Sequence, residues 1–409
     1  MYRIDATRLI PGSGDPIDEA TVVVEDGRIT YAGTRAGAPE ITVTHSVDTL
    51  MPGMWDVHGH FFGVREARVE ALLSTHPATA AVRSSRDALA ALMAGFTSVR
   101  EVGGYGVFLA EAIAEGTIVG PNIYGAGDVL STTGGHGDIH AFPLDVVHQL
   151  LEAKISSGIC DGVPECLKAV RKQLRLNAKV IKICASGGVM SEVDHPIHQQ
   201  FSDEELRAIV DEAARAERVV AAHCHGKPGM MAALRAGVKT IEHGTYLDEE
   251  VAELMLEKDA ILVPTRWIIE QLNASGPTMN MPDYAYQKLI AMVDQHASAM
   301  KIAIQSGVKI ATGTDIFISG AGFWGTNGRE LVHLVDAGMS PLSAIEAATV
   351  HGAETVGPQA PRTGRIEAGY EADVIVVAGN PLDDISLLAN PSAVTHVWKG
   401  GELVKSPAA

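Results

Sequence analysis

Eight short runs of β-forming residues, each followed by an Ala/Leu/Glu-rich stretch, fill the middle of this 409-residue chain and restrict it to few folds. The runs end near His58-Gly59-His60, Val99-Arg100, Ile123-Tyr124, Ile181-Lys182-Ile183, Ala222-His223-Cys224-His225, Ile241-Glu242-His243, Leu262-Val263-Pro264 and Ala311-Thr312-Gly313-Thr314-Asp315. One helical stretch, Asp203 to Ala216, opens with Ser202 and Glu205 in capping-box spacing. Eight β/α alternations predict an α/β fold, a (β/α)8 TIM barrel, whose site residues gather at the C-terminal ends of the strands.

Both ends of the chain have a different texture. Thr21-Val22-Val23-Val24 and Ile29-Thr30-Tyr31-Ala32-Gly33 flank a turn-forming Asp26-Gly27, which is the rhythm of a β-hairpin. Residues 372–379 and 394–404 are similarly β-like, so the two termini are expected to build one small β-module together. Composition narrows the partners. With 32 basic against 50 acidic residues the net charge is −18, which disfavours nucleic acid and anionic membranes. Cys160, Cys166, Cys184 and Cys224 lack metal-ribbon or paired-disulfide spacing and fit a reducing cytoplasm. No window approaches the length of a membrane span, and the first residues lack the apolar stretch of a signal peptide.

The polar residues at the strand ends carry the chemistry. On a strand, residues i and i+2 share a face, so His58 and His60 can bind one ion. Taken alone the pair is weak, because 16 histidines placed at random give roughly 0.6 His-x-His pairs. His223-Cys224-His225 repeats the pattern at another strand end. Lys182 lies among apolar β-formers; burial would depress its pKa, and a neutral amine can form a carbamate, an anionic ligand able to bridge two metals. The alternative is a lysine reaching solvent along an edge strand. Likewise His243 can be a hydrogen-bonded core histidine, and Asp315 a helix N-cap. Their joint occurrence at successive strand ends is what argues for a site.

In this order, His58/His60, Lys182, His223, His243 and Asp315 resemble the metal-dependent amidohydrolase superfamily. The segments 131–137, 183–189 and 241–244 resemble its imidazolonepropionase-related, prolidase-like branch, which includes Xaa-Pro dipeptidases and ochratoxin-type amidases. The resemblance implies a composite β-sandwich from residues 1–52 and 363–409 around a catalytic barrel over 53–362. It also implies two divalent metal ions, usually zinc, with a carboxylated Lys182 bridging them. His58, His60 and Asp315 would hold one ion, and His223 with His243 the other. Metal-activated hydroxide would then attack a carbonyl, with Asp315 shuttling the proton to the leaving amine. His225 is the candidate carbonyl polariser, and His136 resembles the family's substrate-facing histidine.

Arg266, just beyond the seventh strand, is the candidate clamp for a substrate carboxylate. Trp267, Phe317, Phe323 and Trp324 are candidates for an aromatic pocket, and residues 316–328 are expected to form a mobile loop over it. The chain departs from some relatives in the small middle residue of His-Gly-His and in having His225 where some have tyrosine. These readings predict a hydrolase cleaving a C–N amide bond in a dipeptide or an N-acyl amino acid with a free carboxylate. The expected partner is that small molecule, and the expected assembly a homo-oligomer. The competing readings are a cyclic-amide hydrolase and a non-catalytic metal-binding scaffold.

Overall fold

The structure, a computed structural model, describes residues 1–153 and 158–407. Four strands come first: β1 (Tyr2–Leu9), β2 (Ile17–Glu25), β3 (Arg28–Thr34) and β4 (Val43–Pro52). The interior contributes β5 (Met54–Val64), β6 (Phe96–Glu101), β7 (Asn122–Gly125), β8 (Ile181–Cys184), β9 (Val220–Cys224), β10 (Thr240–His243), β11 (Ile261–Val263) and β12 (Ile316–Ile318). Three close the chain: β13 (Val374–Val377), β14 (Val394–Lys399) and β15 (Glu402–Lys405).

The interior strands form two four-stranded parallel sheets, in the orders β11-β10-β9-β8 and β12-β5-β6-β7. Backbone hydrogen bonds link the two sheets at both seams. At one, Leu130 bridges Ile183, and Lys179 N–H donates to Gly125 O at 2.8 Å. At the other, Leu262 bridges Ile310, and Val57 N–H donates to Thr312 O at 2.9 Å. The stretch expected as a strand over 311–315 is hydrogen-bonded to both neighbours, Ala311 N to Leu262 O and Asp315 N to His58 O, but irregularly; regular pairing with β5 begins at Ile316. Asp315, at φ 58°, turns the backbone out of the extended range just before it.

Alternation along the strands places the chemistry. In β8, Ile181 and Ile183 pack outward with Leu206 and Ile209 of helix Asp203–Arg215, so Lys182 between them must face inward. That helix begins with the expected Ser202/Glu205 capping box, worth about 1 kcal/mol.

The terminal segments do assemble together. Their strands run in the order β15-β14-β13-β4-β1-β2-β3, and the β2–β3 turn has Asp26 and Gly27 both at positive φ, as a tight hairpin requires. Where two layers were expected, hydrogen bonding unites all seven strands in one sheet, because β4 is paired on both edges, with β1 and with β13. Among the described residues no helix is long and apolar enough to cross a membrane.

Candidate metal centre

The strand ends converge on one cavity lined by His58, His60, Lys182, His223, His225, His243, His136 and Asp315. His58 and His60 project from β5 with ring centroids 5.3 Å apart. Their Nε2 atoms stand 3.4 and 3.2 Å from Asp315 Oδ1. His243 ends β10, and its Nε2 lies 2.9 Å from His223 Nδ1. Three residues at the site, His243, Thr265 and Asp315, have positive φ (70°, 55° and 58°). Such conformations cost roughly 1–3 kcal/mol each and are retained where the surroundings over-determine them.

The histidines are preset as ligands. Three offer their outer ring nitrogen to an acceptor: His58 Nδ1 to Glu242 Oε2 at 2.7 Å, His60 Nδ1 to Gly103 O at 2.8 Å, and His223 Nε2 to Gly187 O at 3.2 Å; His243 Nδ1 is hydrogen-bonded to the Thr265 hydroxyl at 2.7 Å. For His58, His60 and His223, whose outer partners can only accept, the inner nitrogen is thereby left as a lone pair facing the cavity, the arrangement that outer acceptors impose on metal-binding imidazoles. Burial keeps the rings neutral, holding His58 down to about 4 and His223 and His243 well below the usual value.

Two donor groups are tight enough to hold an ion. One is His58, His243 and Asp315, the other His223, His225 and His243; within each, the ligand atoms lie within 4.8 Å of one another. Burial works against the Asp315 carboxylate, but His58, His60 and Lys182 outweigh it and keep the group ionised. Lys182 is 2 % exposed, and its Nζ lies 3.5 Å from His58 Nε2. Among the described residues no carboxylate oxygen lies within 4.0 Å of it. Burial lowers its pKa. A buried amine turned toward a lone pair, with no counter-ion in contact, is costly as an ammonium. The donor set therefore fits a metal centre.

Support beneath the site comes from residues that the motif pattern does not single out. Glu242 and Arg100, both fully buried, pair at 2.7 Å, and Arg100 Nε also donates to Val57 O at 2.6 Å. Burial opposes the Glu242 charge, yet Arg100 and His58 hold its carboxyl far below the usual range. Asp56 accepts from His58 N, Thr314 N, Thr314 Oγ1 and Asn327 Nδ2, so it ties the first histidine to the turn that carries Asp315. The only sequence signal for these residues is a charge inside a strand-like run. Replacing Glu242 by Gln is expected to weaken metal affinity about 10- to 100-fold. Titrating metal into the stripped protein checks this, and unchanged affinity would mean that Glu242 does not orient His58.

Arg266 does not reach the cavity. Its guanidinium donates to Val293 O at 2.7 Å and Glu270 Oε1 at 2.5 Å, so it is turned to these partners and away from the cavity lining. The aromatic expectation is also trimmed: Phe317 lines the cavity, while Trp267 and Trp324 are core. Trp324 stacks on Phe61 at 4.4 Å, and Asn327 is bonded to Asp56, so residues 316–328 are anchored where a mobile loop was expected. The same tryptophan explains Gly59: a Cβ there would lie 2.6 Å from Trp324 Cη2. Most of the cavity wall is aliphatic, including Val69, Leu72, Ile139, Ile268, Leu272 and Met292, with Arg68 the cation besides Lys182.

His225 stacks on His243 at 4.8 Å and hydrogen-bonds Thr245 Oγ1 through Nδ1. His136 stacks on His223 at 4.1 Å, and burial holds it down to about 4. Both rings are thus brought beside the ligand cluster.

Comparison with known proteins agrees with this geometry. The chain is 47% identical to the ochratoxinase of Aspergillus niger over 421 residues, covering 99% of this chain and 86% of that protein. The crystal structure of A. niger ochratoxinase superposes with a TM-score of 0.93 at 46% identity, covering 100% of this chain and 96% of the other. A Xaa-Pro dipeptidase with bound methionine in its active site gives 0.88 at 32% identity, covering 99% and 100%. More distantly, the imidazolonepropionase of Deinococcus deserti is 23% identical over 426 residues, 95% of this chain and 92% of that one. The amidohydrolase family itself matches residues 49–404. On these matches the chain belongs to the amidohydrolase family and is a hydrolase of amide bonds.

Proposed function

We propose that this enzyme hydrolyses the C–N amide bond of a dipeptide or N-acyl amino acid with a free carboxylate. One observation carries the reading: His58, His60, Lys182, His223, His243 and Asp315, from five separate strand ends or turns, line one cavity, and outer acceptors turn the lone pairs of His58, His60 and His223 inward. In this reading the two interior sheets and their seams form a closed (β/α)8 barrel over 53–362, and residues 1–52 and 363–409 form the second domain. Two divalent ions, zinc by family resemblance, held by His58, His60 and Asp315 and by His223 and His243 about a carboxylated Lys182, would supply Lewis acidity and a water ionising near neutral pH.

The chain's own residues then do the rest. Asp315 takes the proton of the attacking water and returns it to the leaving amine. His225 polarises the scissile carbonyl, and His136 faces the substrate. Arg68, half-exposed at the cavity and bonded to Glu66 at 2.7 Å, supplies the cation for the substrate carboxylate in place of Arg266. The aliphatic walls suit apolar groups on both sides of the amide. The four cysteines, all free and buried, suit a cytoplasmic setting.

The test is a hydrolysis screen of N-acyl amino acids, dipeptides and cyclic amides with and without added zinc. Zinc-dependent release of amino acid from the first two classes is expected. Cleavage confined to cyclic amides, or none at all, would sink the reading. Intact-mass measurement under gentle conditions is expected to show one added carboxyl group, lost in Lys182→Met together with activity. An unmodified Lys182 in fully active enzyme would remove the bridging carbamate.

A further inference from the structure

The ring of His136 is oriented by a relay of hydrogen bonds whose direction its neighbours dictate. Asp194 stands at the outer end. Its carboxylate receives Gln200 Nε2 at 3.0 Å and Gly188 N at 3.2 Å on Oδ2, with Lys288 Nζ 3.5 Å from Oδ1. Surrounded by donors, it can only accept. The Ser191 hydroxyl, bonded to Asp194 Oδ1, therefore points its single proton there. What Ser191 Oγ has left is lone pairs. His136 Nδ1, 2.8 Å away, must then be the donor, which fixes the ring as the Nδ1–H tautomer with a bare Nε2.

The surroundings hold this unit rigidly. Gln200 Oε1 accepts the His136 backbone N–H at 3.1 Å, so one amide grips both the backbone of His136 and the end of the relay. Lys288 donates to the carbonyls of Ser191 at 2.7 Å and Asp194 at 2.6 Å. A Cβ at Gly188 would come within 2.1 Å of His136 Cε1, so the loop is pressed against the ring. The other side of the ring stacks on His223. His136 lines the cavity, and among the described residues its Nε2 has no hydrogen-bond partner.

We propose that His136 Nε2 accepts the N–H of the scissile amide, and that Ser191 and Asp194 are positioning residues which make the enzyme select secondary amides. The proposal rests on the amide-hydrolase reading above and narrows its substrate class. An N-acyl amino acid offers that proton. An N-methylated amide or an acyl-proline bond has none and leaves Nε2 unpaired.

The test compares an N-acyl amino acid with its N-methyl analogue on metal-loaded wild type, Ser191→Ala and Ser191→Thr. Wild type is expected to favour the N–H compound by about tenfold or more in kcat/KM. In Ser191→Ala, where either tautomer is open to the ring, that ratio should fall to within about threefold; Ser191→Thr, which keeps the hydroxyl, should restore it. A ratio unchanged in Ser191→Ala makes the discrimination steric and overturns the proposal. Nitrogen-15 NMR of histidine-labelled enzyme reads the tautomer without turnover. A protonated Nε2 on His136 in wild type overturns the proposal; an unprotonated one, lost in Ser191→Ala, supports it. Failure of both amides to react, with that tautomer intact, overturns the amide reading and leaves the relay supported.

Discussion

Asp315→Asn is expected to lower kcat by about 10²- to 10⁴-fold while the protein still folds and retains metal. The substitution is nearly isosteric, and Asn tolerates the left-handed backbone that this position adopts at φ 58°. The amide oxygen can still face His58 and His60, whose Nε2 atoms lie 3.4 and 3.2 Å from Oδ1. What the amide lacks is the capacity to take up a proton. Because the three cationic or polar neighbours keep Asp315 ionised against its burial, the wild-type group is poised as a base. Steady-state kinetics with metal analysis on the same preparation separates the two roles. Near-native kcat would remove Asp315 as the proton shuttle, and lost metal with lost kcat would make it a ligand only.

Arg100→Met is expected to destabilise the fold by about 3–5 kcal/mol, the usual cost of leaving one member of a buried ion pair uncompensated. Arg100 and Glu242 are both inaccessible to solvent, and the Glu242 carboxylate also receives the imidazole of His58. Without the guanidinium, that charge sits in the protein interior beside a neutral ring. Adding Glu242→Gln to Arg100→Met should recover part of the loss, since no unpaired charge then remains. Denaturant unfolding of the metal-free variants measures both. A single-variant loss below about 1 kcal/mol would show that the pair contributes little.

The strand ends were legible because their signals are local. An alternating apolar run that stops at a histidine or lysine states its own face, and Lys182 between Ile181 and Ile183 is the clearest case. The irregularity at the end of the 311–315 strand was missed for a local reason too, since the positive φ at Asp315 is invisible in a β-like composition. Long-range partners could not be read at all. Arg100 and Glu242 are 142 positions apart, and the partners that take Arg266 out of the site include the carbonyl of Val293, which no side-chain pattern reveals. Gly59 looked like a family variation until Trp324, far along the chain, proved to occupy the space of its missing Cβ.

The seven-stranded terminal sheet has a consequence for how the molecule comes into being. Residues Thr49–Pro52 of β4 find their antiparallel partners only at Val374–Val377. During synthesis the first four strands emerge with that edge bare, and nearly the whole catalytic region must be made before it can be filled. Closing so long a loop is slow in entropy terms, and the pairing it delivers is as non-local as this chain permits. An open strand edge is also a template for a neighbouring chain, so the interval is one of exposure to self-association. The strand Val374–Val377, made after the catalytic region, is thus the one that fills the edge β4 leaves open.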